Sequence, residues 1–393
     1  MKRLINIVLW ILICLSITSC TKADLVPMEY LSEHARIIDL EKTPLPETEP
    51  SENPYTVFLC GESHIYQKSY QLQKYLIQYL YEQEGVRVIL SEMGLGKSVL
   101  LDEYLQTGDS YLLSITLGEL KGTFSNNQQN REFWEWLYEF NRSLPEGEKL
   151  HLVGLDIEHQ EKSCAIALYR MSKRDQEIPE GLKTTIPKLF LKPTYGLWEL
   201  VEIAKMSPDL LKEYYNEDYR LVRLILDNLE QSELYYSQRP EANGDTIKDL
   251  RDQQMMKNFF YAYEKYPGEK MFGQFGSEHI YQRALESKYG SKEWRRFGML
   301  LQEPDSPVRG QVCSILALYY FDGKPEDGLD PYFDDGSITE YLSQDHWIHL
   351  DRQNSPFSQT ELLFHDKSTG GVSTDYVQQL IILTDSPKVE MLE

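Results

Sequence analysis

Cysteine is scarce in this chain, with five in 393 residues, too few for the disulfide framework that staples small secreted folds. Basic residues are scarce as well: 40 Lys and Arg stand against 62 Asp and Glu, a net charge of −22. A surface of that sign repels phosphate backbones, and no local run of Lys and Arg offsets it, so nucleic acid is excluded as a partner. Long apolar runs are confined to the N-terminus, and elsewhere nothing approaches the roughly 20 residues that a membrane span requires. There is no internal repeat and no low-complexity tract. What the chain does have is apolar and aromatic bulk, 41% hydrophobic and 12% aromatic residues with 27 tyrosines, which supports a large core and excludes a disordered chain. The length admits one large domain or two ordinary ones.

The N-terminus reads as a processing signal. Lys2 and Arg3 precede an apolar run from Ile5 to Leu15 that is too short to span a bilayer. Ile17-Thr18-Ser19-Cys20 resembles a bacterial lipobox, so residues 1–19 are expected to be removed and Cys20 to carry lipid and palmitate-type acyl chains. The resulting expectation is a lipoprotein tethered in the bacterial cell envelope, outside the cytoplasm. Residues 20–54, with Pro27, Pro44, Pro46, Pro50 and Pro54, read as a tether with little regular structure.

From residue 55 the pattern alternates between strand and helix. Tyr55–Cys60 is a β-rich run stopped by Gly61, a helical pattern follows through Tyr70, Leu72, Tyr75, Leu76 and Leu80, and Val86–Leu90 is a second strand. Strand, helix and strand within so short a span make a βαβ unit, and continuous apolar strands indicate a parallel sheet covered on both faces. A helix from Arg131 to Asn141 leads to a third strand at Lys149–Leu155. Lys270–Phe275, Gln311–Phe321 and Tyr376–Leu383 read as further strands, and Tyr281–Tyr289 as a helix. Residues 161–265 carry almost no strand signal and several amphipathic helical stretches, at Leu197–Ala204, Leu210–Glu230 and from Arg251 to Tyr266. The expected architecture is therefore α/β: one domain over 55–393 with a mostly parallel central sheet flanked by helices, and a helical insertion or cap at about 161–265.

Ligands of open parallel sheets bind beyond the carboxyl ends of the strands. There the chain places Gly61-Glu62-Ser63-His64, Ser91-Glu92, Asp156-Ile157-Glu158-His159 and Gly276-Ser277-Glu278-His279. Three of the eight histidines fall at these four points. Singly, each motif has a plainer explanation: a carboxylate after a strand caps the next helix, Asp156 ends a loop, and His159 is a surface residue between Glu158 and Glu161. Jointly, two Gly-x-x-His motifs with carboxylates after the strands between them indicate one site. Other signals fail. Gly94-Leu95-Gly96-Lys97-Ser98 resembles a phosphate loop, but Ser91 stands where the loop needs glycine, and Glu92 would repel phosphate. Cys60 reads as a buried strand residue and not a nucleophile, since no neighbour forms a thiolate-stabilising pair with it.

The motifs resemble the erythromycin esterase family over roughly residues 55–290. Gly61-Glu62-Ser63-His64, Leu90-Ser91-Glu92 and Leu101–Asp109 are similar to that family's opening half. The aromatic helix Phe133–Asn141 followed by Gly154-Leu155-Asp156 resembles its middle, and Arg251-Asp252-Gln253-Gln254-Met255-Met256-Lys257-Asn258 ahead of Gly276–His279 resembles its second histidine segment. One departure is that a single residue, Ser63, separates Glu62 from His64. That shorter form is shared with the TraB and Tiki group, where metal-dependent proteolysis is described, and with the haem-binding ChaN lipoproteins of the same wider superfamily.

The resemblance implies a hydrolase acting on an ester, a lactone or a similar bond in a small-molecule or peptide substrate. His64 would be the general base, oriented by Glu62 or Glu92, with His279 as acid or oxyanion donor. Asp156, Arg251 and Glu278 are expected as substrate-binding or supporting residues, Arg251 holding a substrate carboxylate, pairing with a site acid or pairing structurally with Asp252. Glu62 and Glu92 are expected to raise one another's pKa. The leading reading requires no cofactor. Two alternatives stand beside it: a hydrolase or protease in which His64, His279 and Glu92 ligate Mn²⁺, Co²⁺, Fe²⁺ or Zn²⁺, and a non-catalytic surface protein that binds haem or another ligand.

Overall fold

The computed structural model describes residues 26–44, 53–172, 176–238, 244–287, 289–321, 324–325, 343–363 and 368–392. The processing signal at 1–19 and the lipidation site at Cys20 lie outside the described residues. Chain order runs α1 (Val26–His34), β1 (Ala35–Ile37), β2 (Val57–Glu62), α2 (Gln67–Gln83), β3 (Val86–Gly94), α3 (Leu95–Thr107), α4 (Ser110–Gly118), α5 (Gln128–Ser143) and β4 (His151–Asp156). Six helices follow: α6 (Glu161–Met171), α7 (Thr185–Leu191), α8 (Pro193–Met206), α9 (Pro208–Tyr215), α10 (Tyr219–Gln238) and α11 (Gly244–Lys265). The chain closes with β5 (Lys270–Gly276), α12 (Phe297–Leu300), β6 (Val312–Phe321), β7 (Lys324–Pro325), β8 (His346–His349) and β9 (Gln379–Thr384).

One sheet organises the molecule, in the order β1-β8-β9-β6-β2-β5-β3-β4, with the two-residue β7 paired to β6. The pairs among β9, β6, β2, β5, β3 and β4 are all parallel, and β1, β7 and β8 add antiparallel pairs. This is the α/β architecture with a mostly parallel sheet that the alternating pattern indicates. Successive strand side chains point to opposite faces, so Val57 and Leu59 enter one core while Phe58 and Cys60 enter the other. One face is covered by Leu72, Leu76 and Leu80 of α2 and by Phe133, Trp134 and Leu137 of α5. The other is covered by Leu200, Val201, Leu226, Met255 and Phe259, from helices of the 161–265 segment. That segment is therefore a full layer of the fold, and it lays α11 beside the carboxyl ends of the strands.

Three expectations need correction. The stretch read as tether contains α1 and β1: Ala35–Ile37 pairs antiparallel with Ile348–His346, and the buried Tyr30 donates to the carbonyl oxygen of His349 at 2.7 Å. An edge strand can be this short because its partner supplies the hydrogen bonds. The helical pattern at Leu210–Glu230 is two helices, broken where Asn216 takes a positive φ of 52° that no helix accommodates. The helix expected at Tyr281–Tyr289 is irregular over its described residues 281–287: after a 3₁₀ turn at Ser277–Ile280, Gln282 donates to the Val312 carbonyl, Ser314 and Gln378, which ties the segment across the sheet end. Among the described residues no helix is long and apolar enough to cross a membrane.

Candidate active site

Four neighbouring strands, β2, β5, β3 and β4, present their carboxyl ends at one rim. Register brings the candidate residues there together, pairing Glu62 with Gly276 across β2 and β5, and Gly94 with Asp156 across β3 and β4. A cavity of about 370 Å³ opens over this rim, with Glu62, His64, Glu92, Asp156, His159 and Arg251 in its wall. Gly276 allows the approach: a Cβ there would sit 3.3 Å from His64 Nε2 and 3.6 Å from a Glu92 oxygen.

His64 follows β2 directly, and its side chain is 55% exposed, facing the cavity. Its Nδ1 pairs with Glu62 Oε1, the last residue of the strand, and this fixes Nε2 toward Glu92, 3.8 Å away. Glu62 foremost, with Glu92, drives the imidazole pKa upward against the opposing effect of desolvation. Glu92 is largely but not wholly buried. Its Oε1 accepts from Arg251 at 2.6 Å and lies 3.5 Å from His279 Nε2, while its Oε2 accepts the Gly276 N–H at 2.7 Å. Burial would raise its carboxyl, yet His279, His64 and Arg251 together hold it down at about 2. This reverses the expectation for Glu92 that the two glutamates raise one another: the cations lie closer to it and outweigh the like charge.

His279 is buried and clamped. Asp252 accepts from its Nδ1 at 2.6 Å and is itself held by the Trp294 indole at 2.8 Å and the Phe297 N–H at 2.8 Å. Burial opposes charging of His279, but Asp252 and Glu92 prevail and raise its pKa. Arg251, one residue before Asp252 on α11, points to a different quarter of the helix and closes on Asp156 through Nε at 2.8 Å and Nη2 at 2.5 Å. Asp156 is fully buried; desolvation opposes its charge, and Arg251 and His159 nevertheless hold it well below the usual carboxylate range. Its Oδ2 also lies 2.9 Å from His159 Nε2, and His159 Nδ1 lies 2.6 Å from the Tyr236 hydroxyl.

Glu62, His64, Glu92, His279, Asp156 and Arg251 thus form one continuous network, and of the readings open for Arg251 it takes the pairing with site acids. Glu278 does not join. Its carboxylate binds Arg296 at 2.7 Å and Ser287 at 2.9 Å, because the 3₁₀ turn rotates it away from the histidine that follows it. Two members were missed. His159 reads as surface beside its glutamates, although an aspartate three positions earlier is a usable signal. Asp252 carries no local signal, since its partner lies 27 residues downstream. Cys60 is wholly buried, and desolvation pushes its thiol pKa well up, as suits a strand residue and not a nucleophile.

The carboxylate that a metal ion would share with the two histidines is already engaged. Glu92 already takes a guanidinium and an amide N–H on its two oxygens, while His64 and His279, each with Nδ1 on a carboxylate, turn Nε2 toward it. Arg251 supplies the charge that a cation would bring. Among the described residues no three His, Cys, Asp or Glu side chains are arranged to hold one.

The pattern of the erythromycin esterase family matches residues 81–303, more than half of the chain. The match includes Glu92, Asp156, Arg251, Asp252 and His279, and begins after His64. No curated protein matches the chain. Among solved structures, a succinoglycan biosynthesis protein aligns at 15% identity over 95% of this chain and 100% of its own, with a TM-score of 0.65. A Bacillus cereus protein aligns at 14% identity over 93% and 98%, with a TM-score of 0.62. A histidine-to-asparagine mutant of the erythromycin esterase EreC, in its open conformation, aligns at 15% identity over 86% and 93%, with a TM-score of 0.57. At these identities the likeness is one of fold.

Proposed function

The chain belongs to the erythromycin esterase family, and from that premise we propose that it is a hydrolase that opens an ester or lactone with a water activated by His64. The observation that carries this reading is the gap between His64 Nε2 and Glu92 Oε2. At 3.8 Å it is too long for a direct hydrogen bond, and it lets one water molecule reach both atoms at about 2.8 Å. Glu62 fixes the tautomer and increases the basicity of the ring. Nε2 takes a proton from that water as its oxygen bonds to the carbonyl carbon. The C–O bond to the leaving alcohol then breaks, and the proton on Nε2 passes to the departing oxygen. His279 and Arg251 are positioning residues: both hold Glu92, and Arg251 ties it to Asp156.

The test is turnover of a panel of 4-nitrophenyl and lactone substrates by the wild type and by His64→Asn. The expected result is hydrolysis by the first and none by the second; undiminished hydrolysis by His64→Asn would remove the assignment. Failure of the wild type on ester and peptide panels together with a Soret shift on haem titration would replace catalysis with ligand binding.

The lipobox-like Ile17–Cys20 supports a membrane tether in the cell envelope as part of the same proposal. Cys20→Ala should move the protein from the membrane fraction to the soluble one, and unchanged partitioning would end that reading.

A further inference from the structure

One charged side chain in the cavity wall has no part in the network above. Lys97 lies in the first turn of α3 and is only 5% exposed, yet it lines the cavity. Among the described residues it makes no hydrogen bond and no ion pair. Neither of the two carboxylates whose charge it feels bonds it: Glu119 accepts the N–H groups of Lys162 and Ser163 at 2.9 and 2.8 Å, and Glu158 accepts the Gly96 N–H at 2.7 Å on one oxygen while its other oxygen is buried without a hydrogen-bond partner. Desolvation lowers the ammonium pKa to about 8, against the opposing influence of those two acids, so Lys97 keeps its proton at neutral pH. Its Nζ is not among the buried polar atoms without a partner, so it opens to the cavity, where its donors are left for water or for a bound anion. The other cations there are committed, Arg251 to Asp156 and Glu92, and His64 to Glu62.

We propose that Lys97 is the anion-binding residue of the cavity and that the substrate carries a carboxylate which it holds while the scissile ester lies at His64. The proposal rests on the hydrolase reading for the second half of that statement only. A single negative charge suits the site better than a phosphate dianion, since Glu62, Glu92 and Asp156 line the same cavity and one lysine offsets one charge. Lys97 supplies three donors as a point charge, which one carboxylate oxygen can meet without the planar fork of an arginine.

Mono(4-nitrophenyl) adipate and its methyl ester test the proposal, with nitrophenolate release as the readout. In the wild type kcat/KM should favour the acid by about tenfold or more, mostly through KM, as expected for one desolvated charge contact. Lys97→Met should bring the ratio near one, and Lys97→Gln, which keeps a donor without the charge, should lie between. The same ratio in all three proteins would overturn the proposal. Methionine matches the length of the lysine stem and removes a buried charge, so folding is expected to survive; a thermal melt checks this.

A second arm needs no turnover. Trp134 also lines the cavity, and its fluorescence is titrated with monomethyl adipate and dimethyl adipate in the wild type, His64→Asn and Lys97→Met. Saturable binding of the monoanion by the first two and not by the third sustains the anion site even if no ester is hydrolysed, in which case the hydrolase reading falls alone. Hydrolysis without acid preference and without monoanion binding defeats the anion site and leaves the hydrolase standing.

Discussion

The two Gly-x-x-His segments share a strand end, a glycine and an intervening glutamate, yet the fold puts them to different use. In the first, Glu62 is still part of β2 and turns its carboxylate to its own histidine, leaving His64 half-exposed over the cavity. In the second, Glu278 sits in a 3₁₀ turn and goes to Arg296, and His279 is claimed by Asp252 from a helix on the sheet's other layer. What the tetrapeptide fixes is the position of a histidine just past a strand. Its role is set by whichever acid takes Nδ1 and by how much water reaches Nε2. An imidazole that must exchange protons with a substrate needs access, and one that holds a glutamate in place needs enclosure.

This contrast is broken most directly at His64. His64→Asn should lower kcat/KM by about 10²- to 10⁴-fold, the usual contribution of a general base, while a half-exposed site should keep the loss of stability near about 0.5 kcal/mol. Steady-state kinetics beside a urea melt measures both, and a large loss of stability would make His64 structural instead. The pH profile is the next largest effect. A base must be unprotonated in the free enzyme, and Glu62 raises the pKa of His64, so the rising limb of kcat/KM should lie above the ordinary histidine value of 6.5. Glu62→Gln should move that limb back to lower pH. A limb at or below the ordinary value in the wild type would contradict the pairing of Glu62 with His64.

The parallel strands and the rim were legible because both are written locally. Buried parallel strands are continuous apolar runs, and the polar residues that end them mark the rim. The unread parts depend on distant partners. β8, His346–His349, contains two histidines in four residues and is a strand because β1 and β9 flank it. α3 was not assigned: Gly96, Lys97 and Ser98 lie in its first turn, where glycine allows Cys164 of α6 to approach within 2.8 Å of where a Cβ would stand. Lys97 falls with the phosphate-loop resemblance of Gly94–Ser98, which Ser91 and Glu92 exclude, and no other local signal marks it. The acid that orients His279 could be found only once α11 was seen to pass the end of β5.

Smaller effects belong to the second motif, and they fall on stability first. His279→Asn should cost about 3 kcal/mol, because Asp252 is left as a buried carboxylate without its charged partner. Activity should fall less than in His64→Asn, since Glu92 retains Arg251 and the Gly276 N–H. The sign of the pH dependence separates this from simple loss of packing. The folded-state pKa of His279 is raised, so its stabilisation is complete below the ordinary value of 6.5 and is lost as pH rises through the higher folded value. The stability gap between wild type and His279→Asn should therefore narrow in alkaline buffer, and a gap independent of pH would mean that His279 is buried neutral.

Glu278→Gln separates the motifs with the smallest change in chemistry. Arg296 is fully buried, packs against the Trp294 ring at 4.6 Å and receives its charge partner from Glu278. Replacing the carboxylate with an amide keeps an oxygen for one guanidinium N–H and removes the charge, which should cost about 1–3 kcal/mol in a urea melt. Hydrolysis should stay within about threefold, because Glu278 touches neither Glu92 nor His64 and pairs with Arg296 instead. The same substitution at the first motif, Glu62→Gln, should reverse the balance, with a small cost in stability and a large cost in rate. If Glu278→Gln instead lowers kcat/KM as far as Glu62→Gln does while the protein stays folded, the two segments form a symmetric pair of catalytic arms, and the division between an exchanging histidine and a holding histidine is lost.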